Sequence, residues 1–219
     1  MLSLFNYFRS APPFEVWHSH PGTKSRLLIT AGVDGDEYAG IKSAQNLIKT
    51  YRGPVPITVI PIVNILGNAL GTSFNPLDHR YPKNIFPGST LGSSSSKLIY
   101  RLSKYARNVE YWIDLHCAAS DEHLIPFIWA PEHYPILSHL NGRTLVETSI
   151  NKNIPYLMLE TSSHRKWISE IIDNLDKPAK PDWKPTFNKI VYKKNVNQDS
   201  NFKDLLWSSP SIYVSGKMT

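Results

Sequence analysis

SRLLITAGVDGDEYAGIKSAQNLIKTY, residues 25–51, reads as a strand, a polar turn and a helix in direct succession. Ser25 to Gly32 is a short apolar run closing on small residues, which suits a buried strand of a parallel or mixed sheet. From Glu37 to Tyr51, the residues Ile41, Ala44, Leu47 and Ile48 recur at helical spacing and predict an amphipathic helix, stopped by Gly53 and Pro54. Pro56 to Val63, PITVIPIV, is a second strand. Together they make one strand–helix–strand unit, the building block of an α/β fold.

Outward from this unit the same alternation continues. Asn64 to Ser96 is long and rich in Gly, Pro, Asn and Ser, and reads as a functional loop. Ser94 to Arg107 returns to helical spacing through Leu98, Ile99, Leu102 and Tyr105. Glu110 to Leu115 is a third strand, Ile125 to Ala130 a fourth and Pro155 to Leu159 a fifth. Helices are expected over Pro135 to Asn151, with a weak point at Gly142, and over Trp167 to Leu175. After Lys177 come Pro178, Pro181 and Pro185, then strand-like pieces up to Tyr213 and Val214. No internal repeat or firm boundary divides the chain, so residues 1–219 read as one domain with 178–219 as a C-terminal appendage.

The bulk properties narrow the function class. A 219-residue chain that is 41% hydrophobic can bury a core and is not expected to be disordered. Its apolar runs are too short to cross a bilayer, and Met1 to Pro13 lacks the pattern of a signal peptide. One cysteine, Cys117, cannot pair internally, so the cytoplasm is the default location. The net charge of +6 favours anionic partners, but the basic residues are scattered and no nucleic-acid motif accompanies them. Small anionic substrates, rather than nucleic acid or membrane, are the expected partners. Oligomeric state is not legible.

Three polar positions stand out because each follows a strand: Asp34 and Glu37 in AGVDGDEYAG, His116 after IDL, and Glu160 after YLML. Sites in open α/β sheets form outside the carboxyl ends of strands, so these positions can converge. Two acidic groups three residues apart can face one metal ion, with a histidine from another strand as third ligand. Three protein ligands leave a coordination position for water, the pattern of a catalytic site, and a free carboxylate such as Glu160 can then move a proton. Each residue also has a plainer reading. Asp34 and Glu37 suit a turn and a first helical turn, His116 a structural histidine, and Glu160 an ordinary strand end. Asp114 reads as a supporting residue, Cys117 as a small buried one, and His18 and His20 as exposed loop histidines.

The sequence resembles the succinylglutamate desuccinylase and aspartoacylase branch of the zinc carboxypeptidase-like fold. The likeness runs from Pro21-Gly22 through LLITAGVDGDEYAGIKSAQNLI, Val63-Asn64, GTSFNPLD, NIFPG and IDLH to PYLMLET, roughly residues 21 to 162. It implies a mixed central sheet flanked by helices, of the phosphorylase/hydrolase-like kind. It also implies Asp34, Glu37 and His116 as ligands of one Zn2+ and Glu160 as general base. The implied reaction is hydrolysis of an amide bond in an N-acyl amino acid or small peptide-like substrate.

The chain departs from that family at marked places. The family turn reads His-Gly-Asp-Glu, whereas Asp34 stands at the histidine position. Aspartate binds zinc through oxygen, but a second negative charge blunts the ion's acidity and moves preference toward harder ions such as Mn2+. The family's Asp-Leu-Asn-Arg before Phe-Pro-Gly is here Tyr81, Pro82, Lys83 and Asn84, and an upstream family arginine falls at Ser73. Arg80, Lys83 and Asn84 are the remaining candidates for gripping a substrate anion, although lysine lacks arginine's bidentate fork. The C-terminal cover usual in the family is expected to be reduced. These changes also admit an alternative: a weakened or inactive relative acting as a binding or regulatory module.

Overall fold

The computed structural model describes residues 13–117, 127–131, 143–147, 156–161 and 164–178. Strands β1 (Trp17–His18), β2 (Leu27–Ala31), β3 (Ile57–Ile60), β4 (Tyr111–His116), β5 (Phe127–Pro131), β6 (Arg143–Glu147) and β7 (Tyr156–Glu160) form one sheet. Its order is β1-β3-β2-β4-β7-β5-β6. The central pairings β3–β2, β2–β4 and β4–β7 are parallel, as is β5–β6, whereas β1–β3 and β5–β7 are antiparallel. The fold is therefore a mixed α/β sheet flanked by helices, as expected.

Alternation along the strands explains how the helices divide between the faces. Leu27, Ile29, Ala31, Ile113, Leu115, Leu157 and Leu159 point to one face, where Ile41 and Ala44 of helix α1 (Tyr38–Thr50) cover them. Trp167, Ile168 and Ile171 of helix α4 (His164–Asn174) complete that layer. Leu28, Ile60 and Trp112 point to the other face and meet Leu98, Ile99 and Leu102 of helix α3 (Ser94–Ala106). Each such buried aliphatic side chain contributes roughly 1.5–3 kcal/mol relative to exposure. At the amino end of the sheet, Arg26 grips Glu110 and Asp176 at 2.6 Å each, tying β2 to β4 and to the end of α4.

Three expectations change. Residues 143–147 form strand β6, not part of a helix over 135–151; β-branched Thr144 and Val146 beside Gly142 favour extended backbone, and pairing with β5 overrides the helical spacing. The long loop holds helix α2 (Ile65–Leu70) and a 3-10 turn at Pro82–Ile85. Helix α4 begins at His164, three residues before the expected Trp167. The strand-like pieces after Lys177, and the helical part expected over 135–142, lie outside the described residues. Among the described residues, no helix is long and apolar enough to cross a membrane.

Candidate metal centre

Strands β2, β4 and β7 are neighbours in parallel, so their carboxyl ends lie side by side. His116 and Glu160 are each the last residue of their strand and are register partners. Asp34 follows β2, and Glu37 stands immediately before α1. One ligand atom from each of Asp34, Glu37 and His116 lies within 4.8 Å of the other two. Parallel strand order thus brings together residues that are remote in the chain.

The turn that carries Asp34 and Glu37 is braced from the long loop. Asn68 Nδ2 donates to the Gly35 carbonyl at 2.9 Å, and Ser73 Oγ lies 2.9 and 2.8 Å from the two carboxylate oxygens of Asp36. Asn64 caps α2 through Gly67 N and reaches the Phe74 carbonyl, holding the loop against the turn. Glu37 precedes α1 yet makes no capping bond with its side chain. Its carboxylate is held instead by His116 Nδ1 at 2.9 Å and by the backbone N–H of Cys117 at 3.2 Å.

His116 is held from two further sides. Asp114 Oδ2 lies 2.9 Å from Nε2, which leaves Nδ1 toward Glu37 and, at 3.7 Å, Asp34. Behind the ring, His164 Nε2 bonds the His116 carbonyl at 2.8 Å, while its Nδ1 meets Ser43 Oγ of α1 at 3.2 Å. Burial lowers the pKa of His164, partly offset by its bond to that carbonyl, which accepts from Nε2–H.

The electrostatics follow from crowding acids in a buried site. Burial raises the Glu37 carboxyl to about 7; His116 pulls it back down while Asp34 and Glu160 push it up. Desolvation acts to lower His116, but the charges of Glu37 and Asp114 outweigh it and hold the imidazole well above its ordinary value. Burial also raises Glu160, against the pull of His116 and Lys83.

The donor set fits a divalent cation. Asp34 is 1% exposed and, among the described residues, its Oδ1 has no hydrogen-bond partner, an orphaned buried acceptor of the kind a cation satisfies. Two carboxylates and one imidazole nitrogen are ligands that zinc accepts, and the two oxygen donors also suit manganese.

Of the substrate-gripping candidates, only Lys83 enters the cluster: its ammonium lies 2.5 Å from Asp34 Oδ2. Arg80 and Asn84 are exposed, and neither side chain bonds to Asp34, Glu37 or His116. His18 is not a free loop residue, since it belongs to β1 and its Nδ1 meets Thr58 Oγ1 at 2.9 Å. Cys117 is buried. Sequence reasoning missed His164, and also Thr30 and Tyr156, whose hydroxyls donate to the Asp114 carboxylate, because each contact depends on cross-strand or helix-to-strand packing. His123, His133 and His139 lie outside the described residues.

Residues 23–165 match the succinylglutamate desuccinylase/aspartoacylase catalytic domain. The N-alpha-acetyl-L-2,4-diaminobutyric acid deacetylase of Halomonas elongata is 28% identical over 110 residues, covering 48% of this chain and 32% of that protein. In structure, the chain is similar to a succinylglutamate desuccinylase/aspartoacylase from Rhodobacter sphaeroides, with TM-score 0.58 and 23% identity, covering 67% of this chain and 50% of that one. An aspartoacylase family protein from Mesorhizobium loti gives 0.61 and 20%, covering 73% and 60%. The chain thus spans from about a third to three fifths of the length of these relatives.

Proposed function

The chain belongs to the succinylglutamate desuccinylase/aspartoacylase family, and on that premise we propose that it is a metal-dependent hydrolase. Its substrate class is a small, anionic N-acyl amino acid or peptide-like molecule, cleaved at the amide bond. Asp34, Glu37 and His116 hold one divalent ion, zinc or manganese, and Glu160 is the general base. The reading is carried by the convergence of the three ligand atoms within 4.8 Å, together with a buried Asp34 oxygen that no group among the described residues satisfies.

A divalent ion at this place supplies acidity to a water molecule and polarises the amide carbonyl. The chain's own groups do the rest. Asp114 holds Nε2 of His116, so that Nδ1 serves as the ligand atom. Glu160 takes the proton of the attacking water on its carboxylate and passes it to the leaving nitrogen as the carbon–nitrogen bond breaks. Arg80 and Asn84, on the exposed loop beside Lys83, are the groups proposed to meet the substrate's negative charge.

The test is metal content and turnover measured on the same preparations. Full-length protein from zinc-supplemented medium is expected to carry one metal ion per chain by mass spectrometry and to release amine from a panel of N-acyl amino acids. His116→Ala is expected to lose both properties. A metal-free wild-type protein that stays inert when zinc or manganese is added overturns the proposal and leaves the binding-module reading.

A further inference from the structure

Lys83 has a use that follows from where its ammonium sits. Its Nζ is 2.5 Å from Oδ2 of Asp34, a carboxylate that is itself 1% exposed and is one of the three converging ligands. The lysine stands in the 3-10 turn at Pro82–Ile85, beside buried Pro82, and its side chain is one third exposed. The side chain is thus partly exposed while its ammonium meets a buried carboxylate. Glu37 and Glu160 add to the negative field around that head.

We infer that Lys83 is a tethered cation that competes with the metal for Asp34, so that the ammonium must leave Oδ2 before an ion takes that carboxylate. The inference rests on the reading of Asp34, Glu37 and His116 as metal ligands. Oδ1 of Asp34 is the oxygen left open to an ion, but an ammonium kept on Oδ2 of the same carboxylate would repel a divalent ion on Oδ1 strongly in a buried site. Lysine suits such a role better than arginine. It is a single point charge on a flexible four-carbon stem and can withdraw without breaking a bidentate fork. Until the ion arrives, the ammonium is the nearer of two cationic groups facing the buried Asp34 carboxylate, with His116 Nδ1 farther off at 3.7 Å. The consequence is a weaker metal affinity than the three ligands alone would give, set by how readily the side chain swings away.

The experiment measures zinc affinity directly, by competition with a chromophoric chelator, on full-length wild type, Lys83→Met and Lys83→Gln. Both variants are expected to bind one zinc ion on the order of tenfold more tightly than wild type, or better. Equal or weaker binding by the variants, with wild type still binding, overturns the competition and leaves the metal reading intact. Failure of all three to bind overturns both. A second measurement needs no substitution at Lys83. Amine-reactive labelling of wild type, read by mass spectrometry, is expected to increase at Lys83 relative to the other lysines once zinc is saturating, and to stay unchanged in His116→Ala. Labelling of wild-type Lys83 that is indifferent to bound zinc shows the ammonium was never displaced, and overturns the proposal.

Discussion

Asp114 and His116 stand two apart on β4 and join side chain to side chain, Oδ2 to Nε2 at 2.9 Å, with both residues 1% exposed. The aspartate is itself fixed. Thr30 Oγ1 donates to Oδ1 at 2.6 Å, Tyr156 OH donates to Oδ2 at 3.2 Å, and Trp112 Nε1 in turn bonds Thr30 Oγ1 at 2.8 Å. A ring anchored this way is held in one orientation, with Nε2 committed to Asp114 and Nδ1 turned toward Glu37 and Asp34. Asp114→Asn keeps the shape and removes the charge. Zinc affinity is expected to fall by roughly 10- to 100-fold, with the circular dichroism spectrum unchanged. Undiminished affinity in a folded variant shows that the aspartate is only part of the packing.

This network marks the boundary of what the sequence displays. The strand–turn–helix reading of 25–51 needed only local spacing, and the convergence of Asp34, Glu37 and His116 was foreseeable because each stands at, or in the turn after, the carboxyl end of a strand. Tyr156 was not, because its contact with Asp114 arises from β4 and β7 lying adjacent, and no local pattern encodes adjacency. His164 was illegible for the same reason: its partner is a backbone carbonyl on another element. Lys83 was legible as a charge near the site, but its seat on Asp34 depends on how the long loop folds back. Residues 143–147 misled because a run such as RTLVE fits a helix by spacing and a strand by β-branching, and the neighbouring strand decides.

Glu160 is the register partner of His116 and is not part of the three-residue ligand group. Its proposed work is proton transfer, so Glu160→Gln is expected to retain bound metal and to lose about 10²- to 10⁴-fold in kcat. Metal analysis alongside steady-state rates on an N-acyl amino acid checks this. A variant that keeps its rate removes Glu160 from the chemistry; one that loses its metal makes it a ligand.

Gly40 lets α1 approach the backbone of β4. A Cβ built there would lie 2.5 Å from the Leu115 carbonyl oxygen and 3.2 Å from its carbon. Strand β4 cannot retreat, because β2 and β7 pair with it on both sides. Helix α1 must therefore move outward, loosening Ile41 and Ala44 and shifting Glu37 away from His116. Gly40→Ala is expected to cost about 1–3 kcal/mol in urea unfolding and to weaken zinc binding as well. Wild-type values on both counts would mean that α1 sits farther from the strand than this contact requires.

Asp78 secures the amino end of α3 from the preceding loop. Its carboxylate accepts from Ser95 N and from Ser95 Oγ at 2.7 Å each, and from Arg80 N at 3.3 Å. Ser93 Oγ serves Ser96 N at 3.4 Å, so two backbone donors of the first turn are satisfied by side chains. Partial burial acts to raise the Asp78 carboxyl, but the bonds from Ser93, Ser95 and Arg80 outweigh it and hold it below its ordinary 3.8. At acid pH the unfolded chain therefore takes up this proton before the folded one. The stabilisation is fully present above about pH 3.8 and is lost as pH falls through the depressed folded value. Asp78→Ala is expected to cost roughly 1–2 kcal/mol at pH 7. The gap to wild type should narrow as the pH drops below that of an ordinary aspartate. Urea denaturation of both proteins at neutral and acid pH measures it, and a gap independent of pH would assign the cost to lost packing rather than to the carboxylate's charge.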